Sequence, residues 1–256
     1  MRHPLDSENP QKQHYEEIHE AYEDAYYDAW SLRYRDRFII KSLFEGLDLD
    51  GHRVAEIACG NGHNSLLVKK RFPGVETVGF DISEKACGAY EKLTGRRAVP
   101  FDLTQSYDGP EGGFDAALVV GGLHHMVRDL PAAVANLDRL LKPGGRLLLV
   151  EPNRHFLMQR VRDIWYRLDH YFEASSERAL TIEEILDASA GRFVLETIRY
   201  FGGPAYFLVL NSLIFRLPER AKARVAPALF KAEEIWQKIS RPQFFPAFHA
   251  HLVKAQ

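Results

Sequence analysis

Cysteine is nearly missing from this chain: Cys59 and Cys87 are the only two among 256 residues. They do not form a paired framework, so no disulfide scaffold is expected, and a reducing, cytoplasmic setting is the simplest inference. An excess of either charge is missing as well, with a formal net charge of −2. A dedicated nucleic-acid binder normally carries a basic face, so that partner is not expected. No stretch reaches the roughly 18 apolar residues of a membrane span. The first residues, Met1-Arg-His-Pro-Leu-Asp-Ser-Glu8, lack the apolar centre of a signal peptide. No spacing of His, Cys, Asp and Glu reads as a metal site, so a metal-independent protein is expected. What the chain does have is apolar bulk. Hydrophobic residues make up 46% of it, enough for a sizeable core without staples and for one domain with appendages.

The stretch that organises the rest is Val54-Ala-Glu-Ile-Ala-Cys-Gly-Asn-Gly-His-Asn-Ser65. A short apolar run breaks at Gly60 and Gly62, and a helical pattern follows at Leu66, Leu67 and Val68. Strand, glycine turn and helix is where open α/β sheets bind nucleotide-like ligands. The glycines allow a sharp turn and close approach of a ligand, and the helix start offers N–H groups to it. Gly60-x-Gly62-x-x-Ser65 is also readable as a dinucleotide fingerprint without its third glycine.

Further strands follow in order. Val75 to Phe80 ends in Asp81-Ile82-Ser83, placing a carboxylate about 20 residues beyond the glycines, where doubly wound folds hold ribose hydroxyls. Ser83 can cap the next helix. Arg97 to Phe101 closes with Asp102-Leu103. Phe114 to Val120 is continuously apolar, as a central parallel strand should be, and runs into Gly121-Gly122-Leu-His124-His125. A helix over Asp129 to Leu141 then leads to Lys142-Pro-Gly-Gly-Arg146 and strand five, which ends at Glu151.

These motifs resemble, in order and spacing over residues 54–152, the class I S-adenosylmethionine (SAM) dependent methyltransferases of the small-molecule type. Glu56-x-Ala58-Cys59-Gly60-x-Gly62 is similar to the family's first motif, with Ala58 where glycine is commonest. Leu-Lys-Pro-Gly-Gly before strand five is among the family's most recognisable features. The resemblance implies an α/β, doubly wound, seven-stranded Rossmann-like sheet with an antiparallel last strand. It implies SAM as cofactor and S-adenosyl-L-homocysteine as product. Glu56, Ala58, Cys59, Gly60 and Gly62 would line the first turn, Asp81 and Ile82 the ribose, Asp102 and Leu103 the adenine, and Val120 and Gly121 the end of strand four. A nicotinamide enzyme has no comparable need for Asp102-Leu103.

The ends of the chain read as appendages. His14 to Phe44 is a tyrosine-rich helical pattern resembling the N-terminal cap of many small-molecule methyltransferases, with Tyr22, Tyr27 and Arg33 as candidates for the methionine end of SAM; Arg33 would pair with a carboxylate. Arg160 to Phe172 reads as helix, and Thr181-Ile-Glu-Glu184 as a capping box. Phe193 to Tyr200 is the expected sixth strand and Ala247 to Lys254 the seventh. Between them, Pro204 to Pro218 is apolar and Arg220 to Ile239 reads as an amphipathic helix. The expected organisation is a cap over 1–45, a SAM-binding core over 46–201, an inserted lid over 202–245 and a last strand over 246–256. The insertion is readable as extra core, as a lid over the acceptor, as a dimer surface, or as a peripheral membrane contact through 204–218.

For chemistry, His124 and His125 are candidate bases and Glu151 a catalytic or orienting carboxylate, although each histidine is equally readable as a packed one. Asn153, His155, Tyr206, Phe207 and Phe215 are candidates for the acceptor. No Asn-Pro-Pro-Tyr motif follows strand four, which lowers the expectation of a nucleic-acid substrate. The favoured expectation is methylation of a small acceptor, at oxygen on an aromatic or lipid-like body, by a monomer or homodimer. N- or C-methylation, a nicotinamide oxidoreductase and a SAM-binding regulator without turnover stand as alternatives.

Overall fold

Alternation along the central strands sorts the core into two faces. In β1 (Arg53–Ile57), Ala55 and Ile57 point into one cluster and Val54 into the other. In β4 (Phe114–Val120), Ala117 and Val119 face the first, Ala116 and Leu118 the second. In β5 (Leu141–Pro152), Leu147 and Leu149 oppose Leu148 and Val150 in the same way. The period of two follows from strand geometry, and burial of both faces explains why these runs are apolar throughout. Each fully buried Leu contributes about 1.5–3 kcal/mol.

The computed structural model describes residues 27–109, 111–168, 178–210 and 217–255. Its sheet has seven strands in the order β3-β2-β1-β4-β5-β7-β6, with β2 (Glu76–Asp81), β3 (Ala98–Pro100), β6 (Phe193–Phe201) and β7 (Ala247–Lys254) completing it. The first five are parallel. β7 slots between β5 and β6 and runs antiparallel to both. The expected doubly wound sheet with an antiparallel last strand is therefore the observed one. Strand β3 is shorter than expected, and the Pro-Gly-Gly turn falls inside the span of β5 rather than before it.

Helices start where side chains can take their free N–H groups. Asp28 accepts from the backbone N–H of Trp30 (2.9 Å) and Ser31 (3.1 Å) to open α1 (Ala29–Tyr34), which continues as a wider π-helical turn over Arg35–Ile40 and then Lys41–Leu43. The rest of the helix expected from His14 lies outside the described residues. α2 (His63–Arg71) follows the glycine turn, and Ser83 caps α3 (Glu84–Thr94) as expected. α4 (Leu130–Leu140) and α6 (Ile182–Ser189), the latter opened by the Thr181–Glu184 capping box, cover the first face. α5 (Gln159–Leu168) leaves the end of β5; its expected extension to Phe172 lies outside the described residues.

The second face is covered by the N-terminal segment together with the stretch between β6 and β7. Ala205, Val209 and Leu210 are closed into this core, as are Ala226 and Phe230 of α7 (Glu219–Trp236). Buried polar ties join the two. Lys222 bonds Asp28 and Ser31 Oγ, the latter at 3.0 Å. Glu233 accepts from the Tyr34 hydroxyl at 2.6 Å and from the backbone N–H of Gly203 and Ala205. The described part of 204–218 is thus interior packing, not an exposed apolar surface, and residues 211–216 lie outside the description.

Candidate functional site

The turn after β1 is held by a buried carboxylate. Glu56 is 1% exposed and accepts from Asn64 Nδ2 (3.1 Å), the backbone N–H of Ser65 (3.1 Å) and the Ser65 hydroxyl. Burial pushes its carboxyl up to about 7 against the pull of these bonds and of the Arg35 charge. Glu56 therefore clamps the start of α2 to the strand before it. Ala58, standing where glycine is commonest, has a left-handed φ of +50°, a conformation that costs an L-residue roughly 1–2 kcal/mol. The two glycines do different things. A Cβ at Gly60 would meet no protein atom within 4 Å, whereas one at Gly62 would fall 2.6 Å from Tyr90 and Thr94. Gly60 leaves the outside of the turn open, and Gly62, with φ +87°, lets α3 pack against it. Cys59 turns its side chain into a small cluster with Cys87 and Tyr90. The bond from Cys87 and burial push its thiol far up, and its Sγ also donates to the Gly60 carbonyl at 3.7 Å.

Asp81 ends β2 and accepts from the Gly60 N–H (3.0 Å) and the Ser83 N–H (3.0 Å). It thus joins the tips of β1 and β2, with half-buried Ile82 beside it. Asp102 is nearly buried and its Oδ1 accepts from the Thr104 N–H (2.9 Å) and hydroxyl (2.7 Å). Leu103, expected against a ring, is closed into the core, where Asn136 bonds its carbonyl at 2.7 Å. Half-buried Val120 ends β4, and Gly121 follows with φ +69°.

Arginine reaches the turn from a different position than expected. Arg33 is exposed and lies over the Trp30 ring. Arg35 is buried instead, 4.5 Å over the Tyr27 ring, which in turn stacks on His63 at 4.3 Å. Its Nη1 approaches Asn64 Oδ1 at 3.4 Å. The periodicity explains the difference: Ser31, Tyr34, Arg35 and Phe38 share the inward face at helical spacing, and Arg33 does not. Tyr22 lies outside the described residues. Arg35 Nε and Asn61 Oδ1 are both buried with no hydrogen-bond partner. A buried orphan donor and orphan acceptor beside one open turn suit a ligand carrying both an acid and an amine, as the methionine end of SAM does.

At the end of β4 the chain folds over another carboxylate. Glu151, 1% exposed, accepts from the backbone N–H of Gly122 (3.1 Å), Leu123 (2.8 Å) and His124 (3.3 Å), and its Oε2 lies 2.8 Å from His124 Nδ1. The His125 ring packs on that of His124 at 3.9 Å. Asn153, expected at the acceptor, is fully used elsewhere. Its Nδ2 donates to the carbonyls of Pro242 (3.0 Å) and Phe245 (2.9 Å), and its Oδ1 accepts from the His155 N–H. His155 is exposed. Asn153 thus pins the loop before β7 to the end of β5. Half-buried Tyr206 and Phe207 form an aromatic row with Phe156 and Phe201. Tyr206 is held above the usual tyrosine range chiefly by burial, against the opposing charges of Arg162 and Arg35 and with smaller pushes from Glu233 and Glu151. Phe215 lies outside the described residues.

A family model described as a methyltransferase domain matches residues 55–147. A ubiquinone/menaquinone biosynthesis C-methyltransferase of Shewanella piezotolerans is 33% identical over 92 residues, 35% of this chain and 34% of that protein. The chain thus matches about a third of that relative's length. Among solved structures, the cyclopropane synthase MmaA2 of Mycobacterium tuberculosis superposes with a TM-score of 0.67 at 17% identity, covering 98% of this chain and all of that one. A SAM-dependent methyltransferase of Thermotoga maritima gives 0.62 at 18% identity, over 96% and 99%. These likenesses share the sheet described above, and the family match falls on the turn, Asp81, Asp102 and the end of β4. On motif order, sheet topology and this match, residues 55–147 carry a methyltransferase domain of the class I, SAM-dependent type.

Proposed function

We propose that this chain methylates a small acceptor with an aromatic or apolar body, using His124 as the base and Glu151 to orient it. The observation that carries this reading is the 2.8 Å contact between His124 Nδ1 and Glu151 Oε2. With Glu151 taking the Nδ1–H, the neutral ring carries its lone pair on Nε2. Glu151 cannot swing away, because the backbone N–H groups of Gly122 and Leu123 hold the same carboxylate.

When bound, SAM supplies a methyl group on a positively charged sulfur that leaves as a neutral thioether. Arg35 is assigned to its carboxylate, Asn61 to its ammonium, Gly60 to close approach, Asp81 to the ribose and Asp102 to the adenine amino group. The aromatic row of Tyr206 and Phe207 is assigned to the acceptor. His124 removes the acceptor proton, worth about 10²–10⁴-fold in rate; holding the acceptor in line and dry supplies the rest.

Oxygen is the favoured acceptor atom, since a hydroxyl most needs a base. Methylation at carbon is the second reading, favoured by the C-methyltransferases among the relatives. The same base serves there by taking the proton of an activating hydroxyl; once the carbon has taken the methyl, its own proton leaves and the hydroxyl is re-formed, for a net release of one proton. The test is incubation of the chain with SAM and a panel of phenols and other hydroxylated aromatics. Mass spectrometry and NMR of the product then separate O- from C-methylation. SAM binding without methylation of any member by the wild-type chain would favour a regulatory role and sink this reading.

A further inference from the structure

The segment leaving β5 is amphipathic in an unusual sense. Leu157, Met158, Val161 and Ile164 are 69, 52, 55 and 57% exposed, and their spacing puts them on one side of α5 and its lead-in turn. The inward side carries a charge instead: Arg162 donates to the carbonyls of Pro246 (2.9 Å) and Asn153 (2.6 Å). Over the described side chains 157–164, the segment is therefore tied to the protein through a guanidinium while its aliphatic residues are exposed. Its entry is fixed by the Leu157 N–H to the Gln243 carbonyl at 2.8 Å.

The charges bordering the stripe have one sign. From residue 154 to 164 every exposed side chain is either apolar or one of Arg154, His155 and Arg160. Arg154 is partly matched by Glu184. The single acid in the segment, Asp163, is partly buried and accepts from Gln159 Nε2 at 2.5 Å. An aliphatic stripe with basic borders and no exposed acid fits a surface that is apolar inside and anionic at its rim. That is the chemistry of a bilayer leaflet with anionic headgroups. A second copy of the chain fits less well. Four side chains fall short of the roughly 800 Å² per partner of a stable interface, and a two-fold contact would set Arg160 near its own copy.

We propose that this face of α5 rests on an anionic lipid surface. Phe156, beside the stripe, stacks on Phe207 at 5.9 Å, so the contact would lie next to the residues assigned to the acceptor. The proposal does not depend on which atom is methylated.

The test is sedimentation of the purified chain with phosphatidylcholine vesicles and with mixed phosphatidylcholine–phosphatidylglycerol vesicles. The wild-type chain is expected to sediment with the mixed vesicles, less with the neutral ones, and less at high salt. The double substitution Val161→Glu/Ile164→Glu should lower vesicle affinity at least about tenfold, and Val161→Ser/Ile164→Ser somewhat less. Both variants should keep the wild-type melting temperature and S-adenosyl-L-homocysteine affinity, because the replaced side chains are exposed. A wild-type chain that stays in the supernatant with mixed vesicles overturns the proposal. So does equal sedimentation of the double variants. A dimer by size-exclusion chromatography that the same substitutions disperse would assign the stripe to a second copy and overturn it equally.

Discussion

His124 and Glu151 meet at 2.8 Å through Nδ1 and Oε2, on a carboxylate that also holds the backbone just after β4. The two roles of Glu151 separate by substitution. His124→Asn removes the base and should lower the methylation rate by about 10²–10⁴-fold, with cofactor affinity within a factor of two of wild type by calorimetry. Glu151→Gln keeps the shape but sets an amide against three backbone donors, and should also cost about 1–3 kcal/mol of stability. If His124→Asn turns over at the wild-type rate, the pair is a structural clamp only.

Arg35 and Arg33 are two residues apart and should behave as opposites. Arg35→Met deletes the buried guanidinium beside the glycine turn and should weaken S-adenosyl-L-homocysteine at least about tenfold, the value of one charge-assisted bond of 1.5–3 kcal/mol. Arg33→Ala, at an exposed site over Trp30, should leave affinity unchanged. A reversed ranking by calorimetry would remove Arg35 from the cofactor site.

How far the sequence carried this result varied with the range of the interactions involved. The strands lay close to their expected places except at the start of β5, which takes in the Pro-Gly-Gly turn, because apolar runs are local signals; β7 matched at both ends. Arg35 was also within reach, since Ser31, Tyr34 and Phe38 mark its face by ordinary helical spacing. Asn153 was not. Its partners, Pro242 and Phe245, are about ninety positions away, and nothing local distinguishes an amide that pins a loop from one that meets a substrate. Gly62 is half legible: its turn conformation, φ +87°, is a local property, whereas its packing against Tyr90 of the next helix is not. The exposed aliphatic face of α5 was hidden because a hydrophobic pattern shows which residues lie together and not which way they point.

Glu56 should give the protein a pH dependence of one sign. Its folded carboxyl is raised to about 7, chiefly by burial, from an ordinary value of 4.5. The folded state therefore holds the proton more tightly than the unfolded chain. The stabilisation is complete below the unfolded value and is lost as pH rises through about 7. Between pH 5 and pH 8 the wild-type chain should lose on the order of 3 kcal/mol relative to Glu56→Gln, whose side chain does not titrate. Urea unfolding of both proteins at the two pH values measures this, since other titrating groups are common to both. Parallel pH profiles would mean that Glu56 stays ionised in the fold.

Ala58 bears a left-handed φ of +50° that glycine would adopt without strain. Ala58→Gly should stabilise the fold by up to about 1 kcal/mol, the relief of 1–2 kcal/mol being partly offset by the freer unfolded chain. A lower melting temperature for the variant would show that packing of the Ala58 methyl near Gly122 outweighs the strain.

The ties between α7 and the N-terminal segment decide whether the insertion moves as a lid. Lys222 is buried, its Nζ bonded to Asp28 and to Ser31 Oγ. Burial alone would raise the Asp28 carboxyl, yet the bonds from Lys222 and Ser31 bring it below its usual value. One turn further along α1, the Tyr34 hydroxyl donates to Glu233 at 2.6 Å, and that carboxylate also fixes the backbone at Gly203 and Ala205. A segment held at both ends by buried charges opens only by stranding them. Lys222→Met leaves Asp28 without its cation and should cost about 2–4 kcal/mol; Tyr34→Phe removes one donor from Glu233 and should cost about 1–2 kcal/mol. If the insertion is a fixed wall, both variants should lower global stability together with protection of α7 amides in hydrogen exchange. Cofactor affinity in the folded protein should change little. If it is a lid, wild-type α7 should exchange far faster than the sheet even without substitution. Lys222→Met would then alter acceptor turnover while leaving the unfolding midpoint where it was, and the fixed-wall reading would fail.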